Sequence, residues 1–382
     1  MIISRPPMGW NSWNTFGPDI NEKVVKESAD KMVSLGLRRA GYEYLVIDDC
    51  WALRNRDENG RMVPDPEKFP SGMKAVADYV HSKGLKFGMY SCAGSMTCAS
   101  YPGSFDYEFI DAETFASWGI DYLKYDYCFK PVGTQGDQLY RRMGIALANC
   151  GRDILFSACS WGAENTPEWI KTTGAHIWRS TGDVMDSWES VKVNLKLQKD
   201  ITSKSATGCF SDLDMLVVGM GGKGNVAQGG CTPEEYRTHF SAWALYGSPL
   251  MIGCDLRKMS TDVKKLLTNK DVIAIDQDPA ARQPFYMGGH GQEAFWANDD
   301  IFCMAKLLEG GDIAIGMFNL SDGASNMVFQ QRSIGLDRIC GVHLEMKELW
   351  TGEETRTRDG QFILWGLPAH QCKLYRCKVV KD

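Results

Sequence analysis

Hydrophobic and polar positions follow two different patterns along the chain. Over roughly the first 275 residues, short β-rich apolar runs stop abruptly at polar or charged residues, and amphipathic helical stretches follow them. The runs are PPMGWNSW, YEYLVIDD, LKFGMYS, DYLKYDYC, DILFSACSW, AHIWRSTGD, CFSDLDML and SPLMIGCDL. Between them lie helix candidates such as NEKVVKESADKMVSLGL, SGMKAVADYVHSKG, EFIDAETFASWG and TPEEYRTHFSAWALYG. The last has Thr232 as N-cap, Pro233 at the first helical position and Glu235 placed to close a capping box. Eight strand–helix alternations predict a parallel sheet closed into a (β/α)8 barrel. An open doubly wound sheet is the competing arrangement. It would concentrate its chemistry at one switch point, whereas here nearly every run ends in polar or aromatic residues.

After LLTNKDVIAIDQDP the pattern changes. EAFWAND, IFCMAKLLE, DIAIGMFNLS, NMVFQ, HLEMKELWTGEE, QFILWGL and HQCKLYRCKVV are short strands split by Gly, Asp and Asn turns, with no long helix between them. They predict an antiparallel β-sandwich. The expected division is a barrel over residues 1–280 and an all-β sandwich domain over residues 281–382. No repeat of 20–50 residues and no low-complexity segment interrupts it.

Composition narrows the partners. A hydrophobic fraction of 44% and a charged fraction of 24% are ordinary for a globular protein. The net charge is −6 and no Lys/Arg-rich run exists, so a nucleic-acid partner has no electrostatic footprint. No apolar stretch approaches the roughly 18 residues of a membrane span, so no membrane partner is expected. The start, MIISRPPMGWNSWN, lacks the basic and apolar regions of an export signal. Thirteen scattered cysteines, odd in number, suit a reducing compartment better than a disulfide framework. A cytoplasmic location is the expectation.

In a parallel barrel, polar residues at the C-terminal strand ends face the active-site mouth. The eight runs place Trp13, Asp48, Asp49, Tyr90, Lys124, Asp126, Ser160, Trp161, Arg179, Asp183, Asp212, Asp214 and Asp255 there. Carboxylates accept hydrogen bonds from hydroxyls, cations donate to sugar oxygens and aromatics pack on a ring's apolar face, so the set suits a polyhydroxylated substrate. Any single member could equally be a loop cap or a salt bridge. Tyr122, Lys124, Asp126 and Cys128 alternate and share one face of their strand, where Lys124 would favour an ionised Asp126, as a nucleophile requires. A buried ion pair is the structural alternative. Gly219, Gly221 and Gly224 in GMGGKGN have GxGxxG spacing, but no helix opens from the last glycine, and the segment reads as a loop. The six histidines show no paired ligand spacing and no CxxC occurs, so no metal site is expected.

PPMGWNSWNTF, YLVIDDCW, KFGMYSCAG, TCASYPGS, WGIDYLKYDYC, WRSTGD and SDLDML together resemble the motifs of glycoside hydrolase family 27, which holds α-galactosidases and α-N-acetylgalactosaminidases. The resemblance covers the whole chain and implies a catalytic barrel followed by a β-sandwich. By the matched motifs, Asp126 is the expected nucleophile and Asp183 the expected acid/base of a double displacement with retention. Asp48 and Asp49 match the pair that holds the 4- and 6-hydroxyls, Lys124 the donor to the 3- and 4-hydroxyls, and Arg179 a donor near the 2-position. Trp13, Tyr90, Asp214 and Met215 match the pocket wall. The implied partner is a terminal α-galactosyl or α-N-acetylgalactosaminyl saccharide, and no cofactor is implied. Cys98 and Cys128 match a family disulfide at the pocket edge, which a reducing compartment would oppose. Cys50 and Cys159 match family cysteines but lack partners here. Ser160 stands where many α-galactosidases carry Glu against the 2-hydroxyl. With Ala163 it resembles the acetamido-tolerant relatives, although the WGAEN loop departs from the pattern where that rule is clearest. A galactoside is therefore expected first, the acetamido sugar second. A barrel that binds carbohydrate without turnover is the alternative from another class.

Overall fold

A computed structural model describes residues 3–199, 201, 204–288 and 300–382. Eight parallel strands form its first sheet: β1 (Met8–Asn11), β2 (Tyr44–Val46), β3 (Lys86–Cys92), β4 (Tyr122–Asp126), β5 (Leu155–Ala158), β6 (Ile177–Arg179), β7 (Phe210–Asp212) and β8 (Leu250–Ile252). Each falls within one of the eight apolar runs, except that β3 extends one residue past its run, to Cys92. Their order is β8-β1-β2-β3-β4-β5-β6-β7. The chain just past β7 closes the ring, because Leu216 N–H donates to Met251 O at 2.7 Å and Gly253 N–H to Leu216 O at 2.9 Å.

The strands are apolar on both faces because both are covered. Tyr44, Val46, Tyr122, Leu155, Ile177, Phe210 and Met251 pack together in the barrel interior. The intervening Leu45, Phe87, Met89, Leu123, Tyr125, Phe156 and Trp178 join the main core outside it. Helices supply that outer layer: α1 (Glu22–Ser34), α2 (Met73–Ser82), α3 (Glu108–Trp118), α4 (Gly136–Asn149), α5 (Trp188–Gln198), α6 (Pro233–Tyr246), α7 (Thr261–Leu267) and α8 (Lys270–Asp276). In α1 the Asn21 side chain caps Val24 N–H, and Val24, Val25, Ser28, Ala29 and Met32 form the buried stripe. The capping box of α6 is present: Thr232 N–H donates to Glu235 Oε2 at 2.7 Å, and Glu235 N–H to Thr232 Oγ1 at 3.3 Å.

Apart from a short parallel pair, Asp186–Ser187 with Ala227–Gly230, the remaining strands are β9 (Phe285–Gly288), β10 (Ile301–Leu307), β11 (Ile313–Asn319), β12 (Ser325–Gln330), β13 (Val342–Glu348), β14 (Glu354–Arg356), β15 (Gln361–Leu367) and β16 (Gln371–Lys381). Six form an antiparallel sheet, β9-β10-β11-β16-β13-β14, and β12 pairs with β15 in a second layer. Cys303, Ile315, Met317, Met346 and Tyr375 of the large sheet meet Met327, Phe329 and Leu367 of the small one. Alternate residues, among them Phe302, Met304, Phe318 and Leu374, face the barrel and join its core. Polar contacts seal that junction: Thr238 Oγ1 donates to His370 O at 2.9 Å and Trp350 Nε1 to Ser241 Oγ at 3.0 Å. The anticipated strand EAFWAND lies outside the described residues, and β9 is too short to show in the hydrophobic pattern.

The GMGGKGN segment is a loop held from below, with Gly221 N–H on Tyr236 Oη at 2.8 Å and Gly222 N–H on Asp186 Oδ2 at 2.7 Å. Among the described residues no helix is long and apolar enough to cross a membrane.

Candidate active site

Period-2 alternation on β4 turns Leu123 and Tyr125 outward to the helices and Tyr122, Lys124 and Asp126 inward. Lys124 does not pair first with Asp126, as the sequence suggests. Its Nζ lies 2.9 Å from Asp48 Oδ2, which also accepts from Asn11 Nδ2 at 2.8 Å. The chain past β2 folds onto its own carboxylates: Asp49 N–H donates to Asp48 Oδ1 at 3.0 Å and Cys50 N–H to Asp49 Oδ1 at 2.7 Å. Ala99 N–H then ties the β3 loop to Asp49 Oδ2 at 2.9 Å.

Opposite stands Arg179, 2% exposed at the end of β6. Its guanidinium reaches Asp214 Oδ1 at 2.8 Å, Asp183 Oδ1 at 3.0 Å and Thr181 O at 3.2 Å. Asp214 adopts φ +79°, a left-handed conformation unusual for a non-glycine residue. Three bonds fix it there: its N–H to Asp212 Oδ1 at 2.9 Å, Val184 N–H to its Oδ2 at 2.7 Å, and Trp243 Nε1 to its carbonyl at 2.7 Å. Strain of this kind, on the order of 1–3 kcal/mol, persists only where surrounding contacts over-determine it.

One pocket gathers Trp13, Asp48, Asp49, Tyr90, Cys98, Lys124, Asp126, Trp161, Arg179, Asp183, Asp214 and Met215. Asn14, Val184 and Val226 line it too; Asn14 comes from the one-turn helix Trp13–Phe16 and the two valines from loops, where hydrophobic periodicity gives no signal. Cys98 and Cys128 form a disulfide at its edge. Cys50 and Cys159 are free and buried, Cys159 lying behind Arg179 with its Sγ 3.7 Å from Nη1. Ser160 does not face the pocket: it is fully buried, its Oγ 2.8 Å from Thr166 Oγ1, and the wall there belongs to Trp161. The backbone turns at that point, with φ +56° at Trp161, and carries Ser160 inward. Asp212 sits beneath the pocket in a small cavity shared with Ser157 and Tyr122. Asp255 is a loop cap, accepting from Arg257 N–H at 3.1 Å and from its Nε at 2.8 Å.

Burial sets the electrostatics. It pushes the Asp126 carboxyl up to about 6, outweighing Lys124 and the Tyr127 N–H bond at 2.9 Å, which favour the charged form. Asp212 is likewise pushed to about 6 by burial, with Arg179 opposing. Asp183 moves the other way, held below the usual carboxylate range chiefly by Arg179. Its side chain is 66% exposed at the mouth, and the partial desolvation that raises it is outweighed there by Arg179.

A parallel barrel whose strand ends converge on one pocket lined by two candidate catalytic carboxylates, hydroxyl acceptors and aromatic walls defines a glycoside hydrolase. Comparison with known proteins agrees. Residues 5–278 match the family described as alpha galactosidase A, and residues 298–377 match the alpha galactosidase C-terminal beta sandwich domain. An alpha-galactosidase of Cyamopsis tetragonoloba is 44% identical over 97% of this chain and 85% of its own length. Alpha-galactosidase I from Mortierella vinacea superposes with a TM-score of 0.87 at 31% identity, covering 98% of this chain and 97% of its own. An alpha-galactosidase from Saccharomyces cerevisiae, solved with raffinose, gives 0.86 at 28% identity, covering 99% and 98%. The chain belongs to the α-galactosidase family, glycoside hydrolase family 27.

The raised Asp126 carboxyl has a consequence for stability. Between about pH 4, where an unfolded aspartate titrates, and about pH 6, the folded chain keeps a proton that the unfolded chain has lost. Folding is therefore favoured by acid across that window, and above it the buried charge costs stability. Asp126→Asn is expected to raise Tm by a few degrees at pH 7, with the gain fading as pH falls from about 6 to about 4. A lowered Tm at pH 7 in thermal melts would contradict this.

Proposed function

We propose that the protein releases terminal α-linked galactose from saccharides with net retention, Asp126 attacking the anomeric carbon and Asp183 serving as acid and then base. The observation that carries this reading is the single pocket lined by both carboxylates, with buried Asp126 below and exposed Asp183 at the mouth. In the first step an Asp126 oxygen bonds to C1 as the bond from C1 to the leaving oxygen breaks, and Asp183 gives that oxygen its proton. Tyr127 N–H restrains one Asp126 oxygen. In the second step water attacks C1, Asp183 accepts its proton and Asp126 departs.

Arg179 holds Asp183 below the usual carboxylate range, so the acid has to be loaded by substrate. A sugar ring in the mouth excludes water from Asp183 and offers hydroxyls to Arg179, and both effects raise the Asp183 carboxyl toward its working range. Esterification then removes the Asp126 charge, which favours ionised Asp183 as the base of the second step. The positive charge that develops on the sugar is stabilised by Asp48, Asp49 and Asp214 around it. Asp48, Asp49 and Lys124 are the proposed contacts to the 3-, 4- and 6-hydroxyls, with Arg179 near the 2-position.

The inward turn of Ser160 supports galactose over its 2-acetamido analogue, because the wall there is then the bulky Trp161 and not a short serine. Ser160→Ala is expected to cost about 1 kcal/mol of stability through the lost Thr166 bond and to leave the ratio of kcat/KM for p-nitrophenyl α-galactoside and its acetamido analogue within about twofold of wild type. A tenfold change would return Ser160 to substrate contact. For the two carboxylates, Asp126→Gly is expected to lose all measurable turnover and to form β-galactosyl azide from an activated aryl α-galactoside when azide is added. Asp183→Ala is expected to slow poor leaving groups at least tenfold more than dinitrophenyl galactoside. Equal losses for good and poor leaving groups would show that Asp183 only positions the sugar.

A further inference from the structure

The Cys98–Cys128 disulfide lies beside the proposed nucleophile. The two sulfurs and an Asp126 carboxylate oxygen all lie within 4.8 Å of one another. Donors around a tetrahedral Zn2+, at about 2.3 Å for sulfur and about 2.0–2.2 Å for oxygen, stand about 3.5–3.8 Å apart, so movements on the order of 1 Å complete the geometry. While the disulfide is intact, neither sulfur is a thiolate and no such site exists. Cys98 is exposed at the mouth, where a reductant can reach it, and Cys128 is half-buried behind it.

The two cysteines are held together by more than their own bond. Ala93 N–H donates to Asp126 O at 2.8 Å and Ser95 N–H to Phe129 O at 3.2 Å, joining the loop after β3 to the end of β4 and the loop beyond. Between those bonds Gly94 passes so close that a Cβ there would stand 2.0 Å from Cys128 O. Free Cys92 adds a contact from its Sγ to Cys128 O at 3.1 Å. Reduction therefore leaves the two thiols facing each other. Tyr90 Oη, 3.4 Å from Cys98 Sγ, can donate to a thiolate there, and Tyr127 N–H already orients Asp126.

We infer that reducing the Cys98–Cys128 disulfide creates a site for one soft divalent cation of the zinc class, ligated by both thiolates and Asp126, which blocks the nucleophile. A dithiol or trialkylphosphine supplies the two electrons and is itself oxidised, and the two sulfurs take up two protons. Metal binding then releases those protons, and the fourth coordination position, open to the pocket, takes water. The sequence gives no hint of this site, because Cys98 stands 30 residues from Cys128 and the three donors meet only where two strand ends adjoin. The inhibitory consequence rests on Asp126 being the nucleophile; the binding does not.

The test uses the full chain, untreated or reduced with a trialkylphosphine, titrated with Cd2+ while thiolate-to-cadmium absorption is recorded. Eleven other cysteines form the background, so reduced Cys98→Ser serves as the blank. The expected result is one additional tight Cd2+ per chain in reduced wild type and none in untreated protein. Binding should weaken at least tenfold in reduced Asp126→Asn and should weaken with added galactose. In parallel, hydrolysis of an aryl α-galactoside by reduced enzyme should fall at least tenfold at micromolar Zn2+ and return with a chelator, while untreated enzyme is unaffected. Equal Cd2+ binding by reduced wild type and reduced Cys98→Ser, or equal Zn2+ inhibition with and without reduction, overturns the inference. Should Cys98→Ser fail to fold, unchanged Cd2+ affinity in reduced Asp126→Asn overturns it instead. Absence of hydrolysis in metal-free untreated enzyme would sink the functional reading and leave the cadmium spectra to decide the site.

Discussion

Six carboxylates, Asp48, Asp49, Asp126, Asp183, Asp212 and Asp214, crowd the barrel's C-terminal end around two cations, Lys124 and Arg179. Each cation is shared: Lys124 pairs with Asp48 and also acts on Asp126, and Arg179 bridges Asp183 and Asp214. The deficit of positive charge is the constraint on which the site depends. Burial and mutual repulsion keep Asp126 and Asp212 close to protonation near pH 6, and the missing charge is what a cationic transition state supplies. A neutral sugar ring gains less from this field than the same ring carrying positive charge at C1, which is the differential binding that catalysis requires.

Holding so many like charges together takes a rigid frame. Alternation on β4 sends Asp126 inward by the same geometry that anchors Leu123 and Tyr125 beneath the helices. Asp214 is locked in a left-handed conformation by Asp212, Val184 and Trp243, and that fixes the carboxylate that receives Arg179. The loops after β3 and β4 are fastened by backbone bonds, by the close passage of Gly94 and by the disulfide, so the wall beside Asp126 is held from several directions.

Much of this was legible in the sequence. All eight apolar runs became barrel strands, because both sheet faces are buried and the runs end where the chain leaves the barrel for solvent. Thr232, Pro233 and Glu235 announced the start of α6 through local hydrogen bonding alone. Strand-end reading placed Asp48, Asp126, Arg179 and Asp214 in one pocket without knowledge of any loop. What it missed depends on side-chain direction past the strand end and on partners distant in the chain. Ser160 follows β5 but turns inward, and Asp255 follows β8 but caps its own loop. Lys124 is two residues from Asp126, yet it pairs with Asp48, which follows β2, two strands away around the barrel. The pairing of Cys98 with Cys128 came from family resemblance, since spacing alone leaves thirteen cysteines unassigned.

The account stands on double displacement through Asp126, and the anomeric configuration of the first sugar released tests it most directly. Proton NMR of wild-type enzyme acting on an aryl α-galactoside, recorded faster than mutarotation, is predicted to show α-galactose appearing first and β-galactose growing in later. First appearance of β-galactose would mean a single displacement by water, and Asp126 could not be the nucleophile.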